Sequence, residues 1–563
     1  MGGGRWRASE WIRRLEKPDS EVRAALEAVY GGGVDARAAL VRRAAARFIE
    51  RFGDGPMRVF RSPGRINLRG MHVDTHGGYL NLMTHQREVV VAVAPGPADD
   101  DTATFVNVDP AFEEVAFRLG GQAGHPAFDG DWFGFITRRE IQESVLAQRG
   151  HWGNYLRGVL LRMHHEFRDA PLRGLSGVVA SDLPRGAALS SSMALCVAAF
   201  HAAMALHGRK LADDALIRAV QGAEWYTGSR CGTSDQAAMI LGGRDELVNV
   251  ALLAEDLDSS GARRIRFPDG LGVLVINSYT ERSISGAALG EYTRNRFAYS
   301  LALAILRQEM AAEGWPEALV RGCGRLSALT PDAFAEYGGG TGLLRLLRRI
   351  PESLSLDQLK GRYDLPGLDA AYEQYFGTVA EAHRPKDIGL RGPLLFGIAE
   401  SERARVFADA LESGDWERAG RLMTTGHDGD RRVCADGTPF RYDVGDGALE
   451  RLVTDGAAIE DCPGVYGASS PVLDSLVDAA LAGGALGASL TGAGIAGTVL
   501  ALCRREDIEH VQGRILNWMG TEDYGRLAGR DGTLSEAELA GAVVVNRAPA
   551  AAGELGPFVH RES

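Results

Sequence analysis

From residue 182 the chain reads DLPRGAALSSSMALCVAAFHAAMALH: a Pro/Gly turn, three consecutive serines, then an Ala-rich helical pattern from about Met193 to His207. The short β-branched run at 177–181 precedes it, so the local order is strand, loop, helix. This stretch constrains the fold more than any other. The first turn of a helix leaves N–H groups without partners and carries the positive end of the helix dipole. Such a terminus suits a phosphate, and three hydroxyls there add hydrogen bonds and one ligand for magnesium. A plain helix N-cap competes with this reading, because serine is a preferred cap in any case.

Three further clusters carry polar chemistry. RSPGRINLRGMHVDTHGGY at 61–79 gathers Arg65, His72, Asp74 and His76 into one loop. His-x-Asp-x-His could hold a metal, but a sugar, whose hydroxyls need donors and acceptors together, fits better. CGTSDQ at 231–236 places Asp235 in a small-residue loop, where an Asx-turn is the bland alternative. GASLTGAGIAGTVLALC at 487–503 contains G-x-G-x-x-G at Gly492, Gly494 and Gly497. A dinucleotide-binding reading needs a helix after the glycines. Here a β-rich run follows, so a hairpin is expected, whose glycine loop either approaches a ligand or is merely a flexible turn. The chain has neither a lysine P-loop nor a G-x-S-x-G nucleophile elbow.

Charge and cysteine usage narrow the class. The formal net charge is -12, and the only lysines are Lys17, Lys210, Lys360 and Lys386. That balance predicts no nucleic-acid partner and no anionic membrane surface, so a phosphate ligand needs a locally built site. The six cysteines form no C-x-x-C pair and read as reduced thiols of a cytoplasmic protein. The first twenty residues lack the apolar core of a signal peptide, and no apolar run is long enough to span a membrane. Met1-Gly2 is discounted as a myristoylation signal because Trp6 stands where Ser or Thr is required.

Helical patterns are expected over about 20–52, 213–227, 292–312, 399–412, 416–424 and 471–481. Strands are expected at Met57–Phe60, ending in a Gly/Pro turn at Ser62–Gly64, and at Glu88–Ala94, Gly177–Ser181 and Gly272–Asn277. Residues 325–395, with GGG at 338–340 and short Leu-rich pieces, look like a helical elaboration and not a separate domain. From about Ala548 the chain looks like a frayed tail.

Together these motifs resemble the GHMP kinase superfamily, and its galactokinase branch in particular. Residues 61–79 resemble the galactokinase signature P-G-R-V-N-L-I-G-E-H-T-D-Y-N-G-G. Residues 182–194 resemble the phosphate loop P-x-G-x-G-L-S-S-S-A, residues 231–236 resemble C-G-I-M-D-Q, and residues 487–503 resemble the third glycine motif. INSYTERSISGAALGEYTRNR at 276–296, Leu422–His427 and Tyr466–Leu476 are similar to further segments of the family, in family order. The resemblance implies an α/β (α+β), two-lobed GHMP kinase fold with the active site in the cleft between lobes. It implies an N-terminal lobe over 41–270 and a C-terminal lobe over 271–547 with the 325–395 insertion, flanked by a helical extension at 1–40 and a tail at 548–563.

The activity implied is ATP- and Mg2+-dependent phosphorylation of the anomeric hydroxyl of a sugar. Asp235 would be the catalytic carboxylate, with Arg65 beside it to hold it ionised. Met71, His72, Asp74, Gly232 and Tyr292 would face the sugar. Pro184, Gly186, Ala187, Ala188, Ser190, Ser191 and Ser192 would cradle the nucleotide phosphates, and Ser192 and Glu224 would hold magnesium. Several positions depart from the pattern: Met71 replaces Glu, Thr75-His76 replaces Tyr-Asn, Met193 replaces Ala, and Ala188, Ala493 and Ala496 replace glycines. The family's Glu faces the C6 end of the sugar, so Met71 predicts a galactose-like substrate modified or extended at C6. A catalytically idle sugar sensor acting through a protein partner is the alternative.

Overall fold

The computed structural model describes residues 6–556, apart from 98–99, 148–150, 170–172, 185, 187, 230, 281–286, 378, 380 and 382–383, and of residues 287–293 it describes the backbone alone. Two antiparallel-rich sheets form its frame. The first contains β1 (Arg58–Asn67), β2 (Tyr79–Pro95), β3 (Thr102–Asn107), β4 (Val115–Arg118), β5 (Leu175–Ser181), β6 (Glu246–Ala251) and β7 (Arg263–Arg266). The second contains β8 (Leu271–Asn277), β11 (Gly487–Thr491), β12 (Thr498–Arg504) and β13 (Val543–Val545). A short separate pair, β9 (Ser353–Ser355) and β10 (Asp387–Gly389), lies between β8 and β11 in the chain, and β14 (Gly553–Glu554) returns to the first sheet.

In the first sheet the order is β14-β1-β2-β5-β3-β4, and only β3 and β5 run parallel. β2 has 17 residues, long enough to pair β6 through its first half and β5 through its second. The second sheet runs β11-β12-β8-β13, with β11 and β12 joined as the expected hairpin.

Helix Ser191–Leu206 is apolar on every side and correspondingly buried. It packs against β1 and β2, so the sheet fixes where its N-terminus points. The opposite face of that sheet is covered by helices Ala8–Glu16, Ser20–Tyr30 and Val34–Phe52, whose Trp11, Leu26 and Val41 meet Val59, Val90 and Val178. On the second sheet, helices Pro471–Ala482 and Ile508–Met519 bury Val477 and Val511 against Leu274 and Val499. Helix Arg391–Ser413 ties the parts together: Asn81 Nδ2 donates to the Ala404 carbonyl at 2.7 Å and Tyr79 N–H to Ser401 Oγ at 3.1 Å. Residues 325–395 contribute helices Gly339–Leu347, Leu356–Arg362 and Leu368–Phe376, and their Leu343, Leu347, Leu359 and Phe376 join the main core.

Four expectations need correction. The strand predicted to stop at Phe60 runs on as β1 through Ser62-Pro63-Gly64 to Asn67, with a register shift at Pro63/Gly64. Proline is tolerated there because β14 covers β1 only at Phe60 and Arg61, so no ladder partner on that edge asks for its missing N–H. Helix Arg391–Ser413 begins eight residues before the predicted Ala399, with Pro393 in its first turn, where a missing N–H costs nothing. The helix predicted over 416–424 continues to Asp430. The tail predicted to fray from Ala548 is docked as far as residue 556: Thr84 Oγ1 donates to the Pro549 carbonyl at 2.6 Å, and Leu555 is buried.

Candidate active site

The loops at the ends of β1, β5 and β11 converge on a cavity of about 510 Å³. β1 delivers Arg65 and Asn67, and the loop that follows delivers Met71, His72 and Asp74. The segment after β5 delivers Pro184, Gly186, Ala188 and Ser190, and the first turn of helix Ser191–Leu206 adds Ser191 and Ser192. Helix Asp213–Trp225 carries Glu224 in its last turn, and helix Ser234–Leu241 carries Asp235 in its first. All of these side chains or backbones line the cavity, together with Gly232. Of the predicted residues, Ala187 and the Tyr292 side chain lie outside the described residues.

Asp235 is the most heavily engaged group. Arg65 Nε donates to its Oδ1 at 2.7 Å, and the Ser190 hydroxyl donates to Oδ2. Burial raises the carboxyl pKa, but Arg65 and the hydroxyls of Ser190 and Ser234 outweigh it, so the net shift is downward and the group is held ionised. The Asx-turn alternative does not describe it, since its oxygens are taken by other residues' side chains. Ser190 likewise is no ordinary cap. Its φ is 59°, it makes no side-chain capping bond, and its hydroxyl is spent on Asp235. The helix therefore opens without the serine cap that the bland reading supposed, and its first turn, Ser191 and Ser192, lines the cavity, where the N–H groups of a helix start suit an anion.

Beside them, Ser192 Oγ donates to Glu224 Oε1 at 2.9 Å. Glu224 is 6% exposed. Burial, then the charge of Asp235, push its pKa up against the opposing pull of Ser192, Cys231 and Arg65. A carboxylate and a hydroxyl at this spacing form an all-oxygen donor pair of the kind magnesium takes. Tyr155, with its phenol pushed up to about 12 by burial and by Glu224, closes this side.

The glycine hairpin β11–β12 closes the cavity from the second sheet. Gly492, Gly494 and Gly497 have φ of 79°, 77° and 103°. A Cβ on Gly497 would stand 2.8 Å from the Ala188 Cβ, so the loop is packed onto the phosphate loop. Ala188 itself sits at φ 54°, in the left-handed region where a glycine would be relaxed.

The sugar-loop end is built differently. Ser234 Oγ donates to Asp74 Oδ2 at 2.9 Å, and Asp74 presses so close to Gly232 that a Cβ there would lie 2.0 Å from Oδ2. His72, at φ 60°, stacks on Tyr466 at 4.3 Å, with Nε2 3.5 Å from Asp430 Oδ1. His76 turns away to Ser300 and Tyr299, and burial, reinforced by the charge of Arg296, lowers its pKa to about 4. Among the described residues no group of three His, Cys, Asp or Glu could hold a metal, so the His-x-Asp-x-His reading finds no support there.

Met71 is 2% exposed; it reaches the cavity wall but packs with Leu473 and Ile276 of the second sheet's core. Its backbone N–H and that of Gly70 donate to Glu400 Oε1 at 2.9 and 2.8 Å. Glu400 is fully buried between Arg69 and Arg403, at 3.2 and 2.8 Å, and these charges draw its pKa below the ordinary value despite burial. The sequence assigned no role to Glu400, which lies behind the loop, nor to Asn67, Tyr155, Arg296 and Tyr466, which line the cavity. Arg296 and Tyr466 lie inside stretches that carry the family resemblance, which was the one available signal. Glu400 lies in the helix predicted over 399–412, where no motif singled it out.

Among the described residues no helix is long and apolar enough to cross a membrane, and all six cysteines are free.

Three family models match the chain: the galactokinase galactose-binding signature over residues 46–95, the GHMP kinase N-terminal domain over 154–243 and the GHMP kinase C-terminal domain over 446–519. The galactokinase of Chloroflexus aggregans is 28% identical over 471 residues, covering 82% of this chain and 88% of that protein. The galactokinase of a Roseiflexus species is 28% identical over 465 residues, with the same coverage. In three dimensions the chain resembles Lactococcus lactis galactokinase complexed with galactose, with a TM-score of 0.57 and 17% identity, covering 90% of this chain and 97% of that one.

Proposed function

Because the chain belongs to the GHMP kinase superfamily, in its galactokinase-like branch, it is a sugar kinase, and we propose that it moves the γ-phosphoryl group of ATP onto the anomeric hydroxyl of a galactose-like sugar altered at C6. The observation that carries the transfer chemistry is one shared cavity in which Asp235, gripped by Arg65 and Ser190, stands beside the Ser192–Glu224 pair.

Asp235 orients the anomeric hydroxyl and receives its proton as the bond to phosphorus forms. Its lowered pKa keeps it ionised but makes it a weak base, so orientation and electrostatics carry more of the work than early proton abstraction. Arg65 holds that carboxylate through Nε and lends positive charge to the transferring group. The uncapped N-terminus of helix Ser191–Leu206 and the backbone from Gly186 to Ser190 cradle the phosphates. Ser192 and Glu224 would hold a magnesium ion, whose charge when bound neutralises phosphate oxygens. Asp74, His72 and Gly232 face the sugar ring.

The C6 reading rests on Met71. A thioether offers only a weak acceptor, and here it is backed by Leu473 and Ile276. A buried hydroxyl left unpaired against it would cost about 1–3 kcal/mol. ADP release measured over a panel of reducing sugars tests the proposal. The expected best substrate has the galactose ring configuration, a free anomeric hydroxyl and a C6 that is deoxygenated, substituted or extended. Methyl glycosides, with that hydroxyl blocked, should be inert. Sugar-independent ADP release, or phosphorylation of the methyl glycosides, would overturn it.

A further inference from the structure

The three N-terminal helices do more than cover a sheet. Two of their side chains run to the root of the phosphate loop. Arg37, in helix Val34–Phe52, clamps Asp182 with two parallel bonds, Nη1 to Oδ1 at 3.0 Å and Nη2 to Oδ2. Asp182 is the first residue of the loop, and its Oδ1 also accepts the Glu88 N–H at 2.8 Å. Glu88 is fully buried. It takes the Tyr30 hydroxyl at 2.9 Å, it pairs with Arg61, and Arg37 lies 4.0 Å from it. Arg61 Nη1 in turn donates to the carbonyls of Ala550 and Ala551, both at 2.9 Å, and Ala550 N–H donates to the Val29 carbonyl.

We infer that Arg37 is a positioning residue of the nucleotide site, through which the N-terminal helices hold the phosphate loop and cancel the charge of Asp182. The inference rests on the kinase reading above. Asp182 is a carboxylate two residues before Pro184, on a loop that must receive several phosphate charges. The loop carries no lysine, and the one arginine within it, Arg185, is outside the described residues. Left unpaired, Asp182 would repel the incoming polyanion and release the loop from its N-terminal anchor. The bidentate guanidinium removes both problems, since its fork matches the carboxylate in charge and shape.

The experiment is calorimetric titration of MgATP and of the best sugar substrate into the full-length parent, Arg37→Met, Arg37→Lys and the double variant Arg37→Met/Asp182→Asn. Arg37→Met keeps the side chain's bulk and removes its charge. We expect it to weaken MgATP about tenfold while sugar affinity stays within twofold. Arg37→Lys, which restores charge without the fork, should fall in between, and it serves as the informative variant if Arg37→Met does not fold. The double variant should recover most of the lost MgATP affinity, because the neutral amide in place of the carboxylate no longer repels phosphate and can still accept the Glu88 N–H. A merely structural role predicts the reverse, with the double variant no better than the single. Equal losses for both ligands, no loss at all, or no recovery would overturn the inference. A parent that binds no MgATP would overturn the kinase reading and this inference together; a parent that binds it while the variants fail these expectations would overturn this inference alone.

Discussion

The two ends of the cavity are held in place by different physics. At the proposed nucleotide end the polar groups hold one another: Ser190 on Asp235, Ser192 on Glu224, Arg65 on Asp235. At the proposed sugar end the loop is held from behind, by Glu400 on the backbone of Gly70 and Met71 and by Tyr466 stacked on His72. The first arrangement leaves little room for substitution, because each side chain is both tool and support. The second fixes the backbone at Met71 independently of its side chain, which is then constrained by its packing on Leu473 and Ile276 and by what it meets in the cavity. The sequence differs from the family pattern at both ends, but in kind: at the proposed nucleotide end Ala188, Met193, Ala493 and Ala496 are apolar replacements of small residues, whereas at the proposed sugar end Met71, Thr75 and His76 replace polar side chains.

The largest effect should come from Asp235→Asn, which strikes where the two ends meet. We expect kcat to fall about 10²–10⁴-fold, with binding of both substrates changed only fewfold. A mutant within a fewfold of the parent rate, measured by ADP release, would break the assignment.

Next, Glu400→Gln attacks the sugar end alone. It leaves Arg69 and Arg403 facing a neutral amide, and breaking a buried pair in this way typically costs about 3–5 kcal/mol. Urea unfolding should show that loss, and the KM for sugar should rise while that for MgATP stays near the parent value. An equal rise in both would mean that Glu400 supports the fold generally and not the sugar loop.

Glu224→Gln attacks the nucleotide end alone. Magnesium affinity should drop at least about tenfold, in the range seen when a supporting group of a metal site is lost. The parent has a signature the variant should lack. Burial and Asp235 raise the Glu224 pKa, so the carboxyl takes up a proton at a higher pH than an ordinary glutamate. A protonated carboxyl holds no cation. Magnesium affinity in the parent should therefore begin to fall, as pH is lowered, above the range where an ordinary glutamate titrates, and the Glu224→Gln variant should show a flatter slope. An unchanged slope would remove Glu224 from the metal site.

The smallest effect is expected at Ala188→Gly. A non-glycine residue in the left-handed region carries about 1 kcal/mol of strain, so the variant should gain up to that in stability by thermal melting, with activity preserved. A loss of stability would mean that the Ala188 Cβ contact with the glycine hairpin outweighs the strain.

Chemistry is legible in the sequence wherever it is local in the chain. The triserine helix start, the Asp235 loop and the β11–β12 hairpin can all be read from adjacent residues. Whether Ser190 caps its helix or serves Asp235 cannot, since the deciding partner lies 45 residues away. Glu400 is invisible for a related reason: its partners are two backbone N–H groups about 330 residues earlier. The docked C-terminal segment shows the same limit. Its small, apolar residues signal nothing, because it is held by its backbone, through carbonyls that accept from Thr84 and Arg61 and N–H groups that donate to Val29, Met239 and Val59. The full length of β1 is hidden because Pro63 reads as a breaker until the sparse pairing of that strand's outer edge is known.

The central claim, an intact phosphoryl-transfer end joined to a recut sugar end, is tested most directly by kcat/KM for galactose and for its 6-deoxy counterpart, in the parent and in Met71→Glu. In the parent we predict a preference of about tenfold or more for the sugar without the C6 hydroxyl, equivalent to about 1.4 kcal/mol for one unpaired group. In Met71→Glu the preference should shrink or reverse as galactose gains an acceptor. A parent that turns galactose over as efficiently as the 6-deoxy sugar, with a variant that gains nothing, would contradict the account.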